Sequence, residues 1–297
     1  MNGIRTTIAA VTLCASAVPV SQSAAATLDR IRDSQAIVIA HREASLPFSY
    51  MDGRQPVGYA IDLCLKVADA IKRELKLAKL DVRYLAVTPS NRMQAIAEGK
   101  ADLECGSTTN TAERRKQVAF TVSHFVASAR MVVRTDSGIA NWADLRDKKI
   151  VTTRGTTNAK TLVDRDKVRS LNITLAESKD HAEGFGMVER GVADAFAMDD
   201  VLLYGLRAAA RNPESFRVVG DSLSTEPYAI MLRKDDPAFK AVVDRELARI
   251  MNDGEIYPIY DKWFRQPIPP SGINMNMPMG YLLRSSLRFP TDKVGDN

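Results

Sequence analysis

The sequence predicts an α/β protein built as two lobes, and three observations carry that expectation. Short apolar runs alternate with amphipathic stretches of helical spacing. Two of the runs end in similar polar junctions, Gly106, Ser107, Thr108, Thr109, Asn110 and Gly155, Thr156, Thr157, Asn158. Two extended stretches, 129–134 and 228–233, stand where the chain would leave the first lobe and return to it. The echo between the junctions is too short to define a repeat, yet two facing strand-to-helix junctions can close on one anion from both sides.

In chain order, Ala36 to Ala40 is a continuous apolar run, as expected of a strand buried on both faces of a parallel sheet. It ends abruptly in His41, Arg42 and Glu43, and ligands of open α/β sheets bind at that carboxyl end. Past a turn at Asp52 and Gly53, Leu63, Val67, Ala70, Ile71 and Leu75 repeat at helical spacing, with Asp62 as a candidate cap. Leu80, Val82, Tyr84 and Ala86 alternate as a second strand, and Ser90, Asn91 and Arg92 open a short helix that stops near Gly99. A third strand (Ala101, Leu103, Cys105) delivers the first junction. Strands joined by helices in this order make right-handed crossovers and a doubly wound lobe.

At the junction Asn110 is expected to cap a helix, with Glu113 reaching back as in a capping box. The free backbone N–H groups, the helix dipole, the hydroxyls of Ser107 and Thr109, and the forked cation of Arg114 then suit a carboxylate. A turn that merely caps a helix is the other reading. The second lobe starts with a strand over Ile150 to Thr153 and the junction that holds Thr157. A helix opens at Asp180 and His181, and the apolar run Ala193 to Met198 ends in Asp199 and Asp200. One of that pair can face a ligand ammonium; the other, or both, can cap the following helix. Asp236 before Pro237 starts a long helix, and Lys262, Trp263 and Phe264 close the ordered core ahead of a Pro- and Met-rich tail.

Residues 1–26 have the order of a secretory leader: Arg5, an apolar segment from Ile8 to Val20, then small residues up to Ala26. The apolar segment is too short to span a bilayer, which takes about 20 residues. Cys14 lacks the small preceding residue that lipidation would need. Removing the leader lowers the formal charge from +5 to +4, because Arg5 is the only charge before Asp29. Lys and Arg are scattered among nearly as many Asp and Glu, which argues against a nucleic-acid partner. In an exported chain the remaining pair, Cys64 and Cys105, is a candidate disulfide that would contribute about 4 kcal/mol through loop closure; two buried thiols are the alternative.

No pair among His41, His124 and His181 has metal-ligand spacing, and HExxH, CxxC, GxxxxGK[ST] and GxSxG are all missing, so no metal or cofactor is expected. What stands at the strand ends is a concentration of cations, Arg42, Arg92, Arg114 and His181, set against Asp199. Three arginines with a histidine, against one anionic site, suit two carboxylates and one ammonium. That describes an acidic amino acid.

Several segments carry a resemblance: HREASLPFSY at 41–50, ECGSTTN at 104–110, KDH at 179–181, MDD at 198–200, MLRKDDP at 231–237, and PIPP with NMN at 267–270 and 274–276. Over nearly the whole mature chain the sequence resembles the periplasmic solute-binding proteins of amino-acid ABC transporters, in their glutamate/aspartate branch. The resemblance implies the type II periplasmic-binding-protein fold, with 27–130 and 229–297 as one discontinuous lobe, 131–228 as the other, and hinges near Arg130 and Ala229. It implies a monomer that binds glutamate or aspartate and delivers it to a membrane permease. Arg114, Thr109 and Thr157 would hold the α-carboxylate, Ser107 and Asp199 the α-ammonium, and Arg42, Arg92 and His181 the side-chain carboxylate. Pro89 replaces a hydroxyl residue usual in relatives, with Ser90 as the expected substitute. The wider family also includes periplasmic cyclohexadienyl dehydratases, which would need His181 or Glu43 as a general acid. A soluble receptor-docking sensor would use the same closed form as a transporter protein.

Overall fold

The computed structural model describes residues 26–295. The leader expected over 1–26, with Cys14, lies outside them except for Ala26. The first unit runs α1 (Thr27–Ser34), β1 (Ala36–His41), β2 (Ala44–Ser45), β3 (Ser49–Asp52), β4 (Gln55–Val57), α2 (Tyr59–Glu74), β5 (Asp81–Ala86), α3 (Arg92–Ala97), β6 (Leu103–Cys105) and β7 (Val118–Phe120). The chain then crosses along β8 (Phe125–Arg134) into β9 (Lys149–Thr153), α4 (Thr157–Arg169), β10 (Thr174–Ser178), α5 (His181–Glu189), β11 (Ala195–Asp199), α6 (Asp200–Ala209) and β12 (Phe216–Val219). It returns through β13 (Thr225–Tyr228) to β14 (Met231–Arg233), α7 (Pro237–Asn252), α8 (Ile256–Phe264) and α9 (Tyr281–Arg288).

The strands form a sheet of order β5-β1-β6-β14-β7, a second of order β10-β9-β11-β8-β12 with β13 on β8, and the small sheet β2-β3-β4. β1 is parallel to both β5 and β6, and β9 to both β10 and β11, so each large sheet has a parallel centre wound by helices. The inward run of β1 is buried because helices cover both faces of the sheet. The two crossings are paired with each other: Phe125 to Ser128 lie antiparallel to Tyr228 to Thr225. The first crossing strand therefore starts at Phe125, ahead of the Ala129 expected from sequence.

An aromatic cluster packs around these crossing strands. Phe125 and Tyr228 stack with centroids 5.9 Å apart, and Phe48 meets both edge-on at 4.9 and 5.1 Å. Phe264 and Tyr260 of α8 complete it. Burying such rings contributes about 1.5–3 kcal/mol each before geometry is counted, which fixes where the two sheets meet.

Three local expectations need correction. Asp62 does not cap α2; the helix begins at Tyr59 behind Gly58, and the Asp62 carboxylate accepts from Lys262 Nζ and Trp263 Nε1, each at 2.7 Å. No α-helix follows Asn110, only a short 3-10 turn over Arg114–Lys116, so neither the capping box nor the helix dipole is present there. Asn110 is instead absorbed tertiarily: its backbone N–H donates to the Pro227 carbonyl, its Nδ2 to the Asp292 carbonyl, and its Oδ1 accepts from Arg115. The tail after Phe264 is also part of the core. α9 buries Leu283 and Leu287 against α7 and β8. Cys64 and Cys105 are disulfide-bonded, Cα to Cα 6.4 Å, tying α2 to β6.

Candidate functional site

The site forms where the carboxyl ends of β1, β6, β9 and β11 and the crossing strand β13 converge. Arg42 follows the last residue of β1, Arg92 opens α3, Ser107 and Thr109 follow β6, and Asp199 ends β11. His181 is the first residue of α5, whose cap is Asp180, accepting from the Glu183 N–H at 2.9 Å. Thr157 is the first residue of α4. All except Arg114, Thr157 and Ser90 are buried.

At the inner end, Arg42 and Arg92 are 1% and 2% exposed, and Arg42 Nη1 and Arg92 Nε have no hydrogen-bond partner. Unpartnered charged donors at that depth are costly, on the order of several kcal/mol each, unless an anion meets them. Burial first, and the neighbouring Arg92 second, push the Arg42 guanidinium down to about 9; burial likewise lowers Arg92. His181 lies between the two sheets, its Nε2 3.4 Å from Arg42 Nη2 and its Nδ1 3.0 Å from Thr153 Oγ1. Because a guanidinium only donates, Nε2 accepts and Nδ1–H points to the threonine hydroxyl. Burial, then Arg42, hold this imidazole neutral, well below its usual range. His181 thus braces Arg42 as an acceptor.

The outer end has the opposite polarity. Asp199 accepts from Asn158 Nδ2 at 2.8 Å and, by a short contact, from Tyr228 Oη. Burial first and Glu226 second raise its carboxyl to about 7. Asp200 accepts from backbone donors, the N–H groups of Ser128 and Val201, whereas the partners of Asp199 are the side chains of Asn158 and Tyr228. Arg114 spans the two units: Nη1 donates to the Thr109 carbonyl at 2.8 Å and Nη2 to the Gly155 carbonyl at 3.2 Å. Thr157 Oγ1 donates to Glu226 at 2.9 Å, and Ser107 Oγ is buried without a partner.

A groove of about 1260 Å³ opens outside this cluster and shares Thr109, Arg114, Thr157 and Glu226 with it. Arg42, Arg92, Ser107, His181 and Asp199 lie beyond its lining. The wide groove therefore reads as the mouth, and the chemistry is concentrated in the buried group.

A family model matches residues 37–266, the one for bacterial extracellular solute-binding proteins, family 3. The chain belongs to that family. Its fold is the type II binding-protein fold. As a family 3 member it is 44% identical, over 95% of its length and 94% of the relative's, to the L-glutamate/L-aspartate-binding protein of Pseudomonas aeruginosa. It is 40% identical to the glutamate/aspartate import solute-binding protein of Escherichia coli, over 92% and 90% of the two chains. An ancestral arginine-binding protein bound to arginine superposes with a TM-score of 0.69 at 26% identity, covering 77% of this chain and 98% of that one. All three are named as binding proteins, so the dehydratase alternative has less support than the binding reading.

For this family 3 chain the structure gathers Arg42, Arg92, Ser107, Thr109, Arg114, Thr157, His181 and Asp199 around one region. It does not bring in Ser90, which is exposed and reaches the Arg154 carbonyl at 3.4 Å. Glu104, Glu226 and Tyr228 join the region without being expected as site residues, and Asn158, expected only as part of the second junction, joins them through Asp199. For Glu104 a signal existed: a carboxylate between Leu103 and Cys105 in a short apolar strand has few ways to be buried cheaply.

Proposed function

We propose that this protein binds glutamate and aspartate outside the cytoplasmic membrane and delivers them to the permease of an ABC importer. The carrying observation is the pair of buried guanidinium groups, Arg42 and Arg92, with unpartnered N–H atoms at the far end of a site whose near end holds Arg114 and Asp199. On this reading Arg114, Thr109 and Thr157 take the α-carboxylate, Ser107 and Asp199 the ammonium, and Arg42 and Arg92 the side-chain carboxylate; His181, for which the resemblance implied a contact with that same carboxylate, instead braces Arg42. The lobes 27–130 with 229–297, and 131–228, close about hinges near Arg130 and Ala229. The leader 1–26 is removed on export, and the mature protein acts as a periplasmic monomer. Both full-length relatives named above support this substrate class. No helix among the described residues is long and apolar enough to cross a membrane.

The test is calorimetric titration of refolded, ligand-stripped mature protein with glutamate, aspartate, glutamine and a cyclohexadienyl acid. One-to-one binding of the acidic amino acids is expected, with glutamine at least about a hundredfold weaker, since a buried Arg deprived of its carboxylate costs about 3–5 kcal/mol. Glutamine binding as well as glutamate would remove Arg42 and Arg92 from their roles. Turnover of the cyclic acid would overturn the binding assignment.

A further inference from the structure

A third charged group shares the inner end of the site. Glu104 sits on β6 opposite Ala40 of β1 and Met231 of β14, in the middle of the first sheet, and is fully buried. One carboxylate oxygen accepts from Thr108 Oγ1 at 2.7 Å; the other, Oε1, has no hydrogen-bond partner. Gly106 makes room for it: a Cβ there would stand 2.5 Å from Oε1 and 3.0 Å from Arg42 Cγ. The carboxylate and the Arg42 stem therefore face each other across one missing methyl. Glu104 acts electrostatically on Arg42, Arg92 and Arg114, favouring the charged form of each. The other groups acting on Arg42 and Arg92 are Asp180, Asp199 and Tyr228, with His181 neutral.

The charge at this end then sums simply. Glu104 acts on these arginines more strongly than Asp180 or Asp199 does, so the dominant groups, two guanidinium groups and one carboxylate, leave a single positive charge, and a neutral imidazole adds nothing. We propose that Glu104 sets the charge of the distal pocket so that it accepts a side chain carrying one negative charge and rejects one carrying two. The inference rests on the acidic amino-acid reading above and adds to it the rule by which side-chain anions are sorted. A buried carboxylate with a bare oxygen is otherwise an uncompensated cost; here it offsets half of the arginine charge before a ligand arrives, at the expense of repelling a second ligand charge.

The test compares glutamate with 2-amino-4-phosphonobutanoate, the analogue in which a phosphonate replaces the side-chain carboxylate. That group passes from singly to doubly ionised between about pH 5 and about pH 8. In the unmodified protein the phosphonate-to-glutamate affinity ratio is expected to fall as pH rises through this range. Taking the ratio cancels effects that act on both ligands, such as titration of Asp199. Glu104→Gln is expected to abolish that fall and to raise the ratio at about pH 8 by about tenfold or more, the effect of one charge at an effective dielectric near 20. If Glu104→Gln weakens both ligands alike and leaves the ratio unchanged, Glu104 is only a structural support and the proposal fails. Should that variant not fold, the unmodified protein decides alone: a ratio independent of pH overturns the proposal. Unmodified protein that binds no glutamate would instead overturn the substrate reading, and this inference with it.

Discussion

The side chains of the site are polarised by depth more than by sequence distance. Arg42 and Asp199 are both almost fully buried, yet burial favours neutral forms in both, lowering the first and raising the second. For Asp199 this has a sign that can be checked. The ligand ammonium needs the carboxylate, so glutamate affinity should fall by up to about tenfold per pH unit below about 7, and binding near neutrality should release protons. Calorimetry in buffers of different ionisation enthalpy measures both, and Asp199→Asn should flatten the dependence. In folding stability the same group works the other way: its contribution is present below about pH 4 and is lost as pH rises through about 7. His181 opposes it, because a buried neutral imidazole loses stability as pH falls below its ordinary 6.5. At the inner end, Arg92→Met should weaken glutamate by about a hundredfold or more while changing glutamine far less. Equal losses for the two amino acids would mean that Arg92 does not touch the side-chain carboxylate.

Among the elements, β6 is the one on which most depends. It is three residues long, carries Glu104, leads into Ser107 and Thr109, and is held by neighbours on both sides and by the Cys64 to Cys105 bond to α2. A strand so short has little pairing of its own, and the covalent tie gives it a second hold, on α2. Replacing both cysteines with alanine should lower unfolding free energy by about 2–4 kcal/mol in urea titration. It should also weaken glutamate binding, because the junction that follows the strand would be less well placed. Stability loss with unchanged affinity would show that pairing with β1 and β14 fixes the junction unaided. The α5 terminus illustrates the opposite case, where Asp180 caps the helix from within its own sequence and so places His181 locally.

On the scale of the whole molecule, turns of the two units stand within contact distance of each other at Gly155. Gly155 lies at φ +78°, and a Cβ there would stand 2.7 Å from the Pro89 carbonyl oxygen of the other unit. Arg114 to Gly155 and Ser90 to Arg154 bridge the same line. Gly155→Ala should cost about 1–2 kcal/mol in the stability of the ligand-free protein, from the positive φ, while lowering glutamate affinity about tenfold or more. Small-angle scattering should show ligand-induced compaction in the unmodified protein and less in the variant. An unmodified protein that does not compact would exclude hinge closure about the β8 and β13 crossings.

Legible in the linear chain were the main strands and helices of both units, the charged strand ends at Arg42 and Asp199, the caps at Asp180 and Asp236, and the cysteine pair. Those features rest on periodicity and short-range hydrogen bonds, which a linear chain displays. Tertiary structure alone decided that Asn110 is held by Pro227 and Asp292 rather than capping a helix, and that Asp200 accepts from backbone donors while the partners of Asp199 are the side chains of Asn158 and Tyr228. It also decided that the Pro- and Met-rich tail joins the core and that Glu104 stands buried beside Arg42. In each of these the partner lies dozens of residues away or more, or competes with a closer one. Which polar group satisfies which is settled only when the crossing strands bring both sheets to one place.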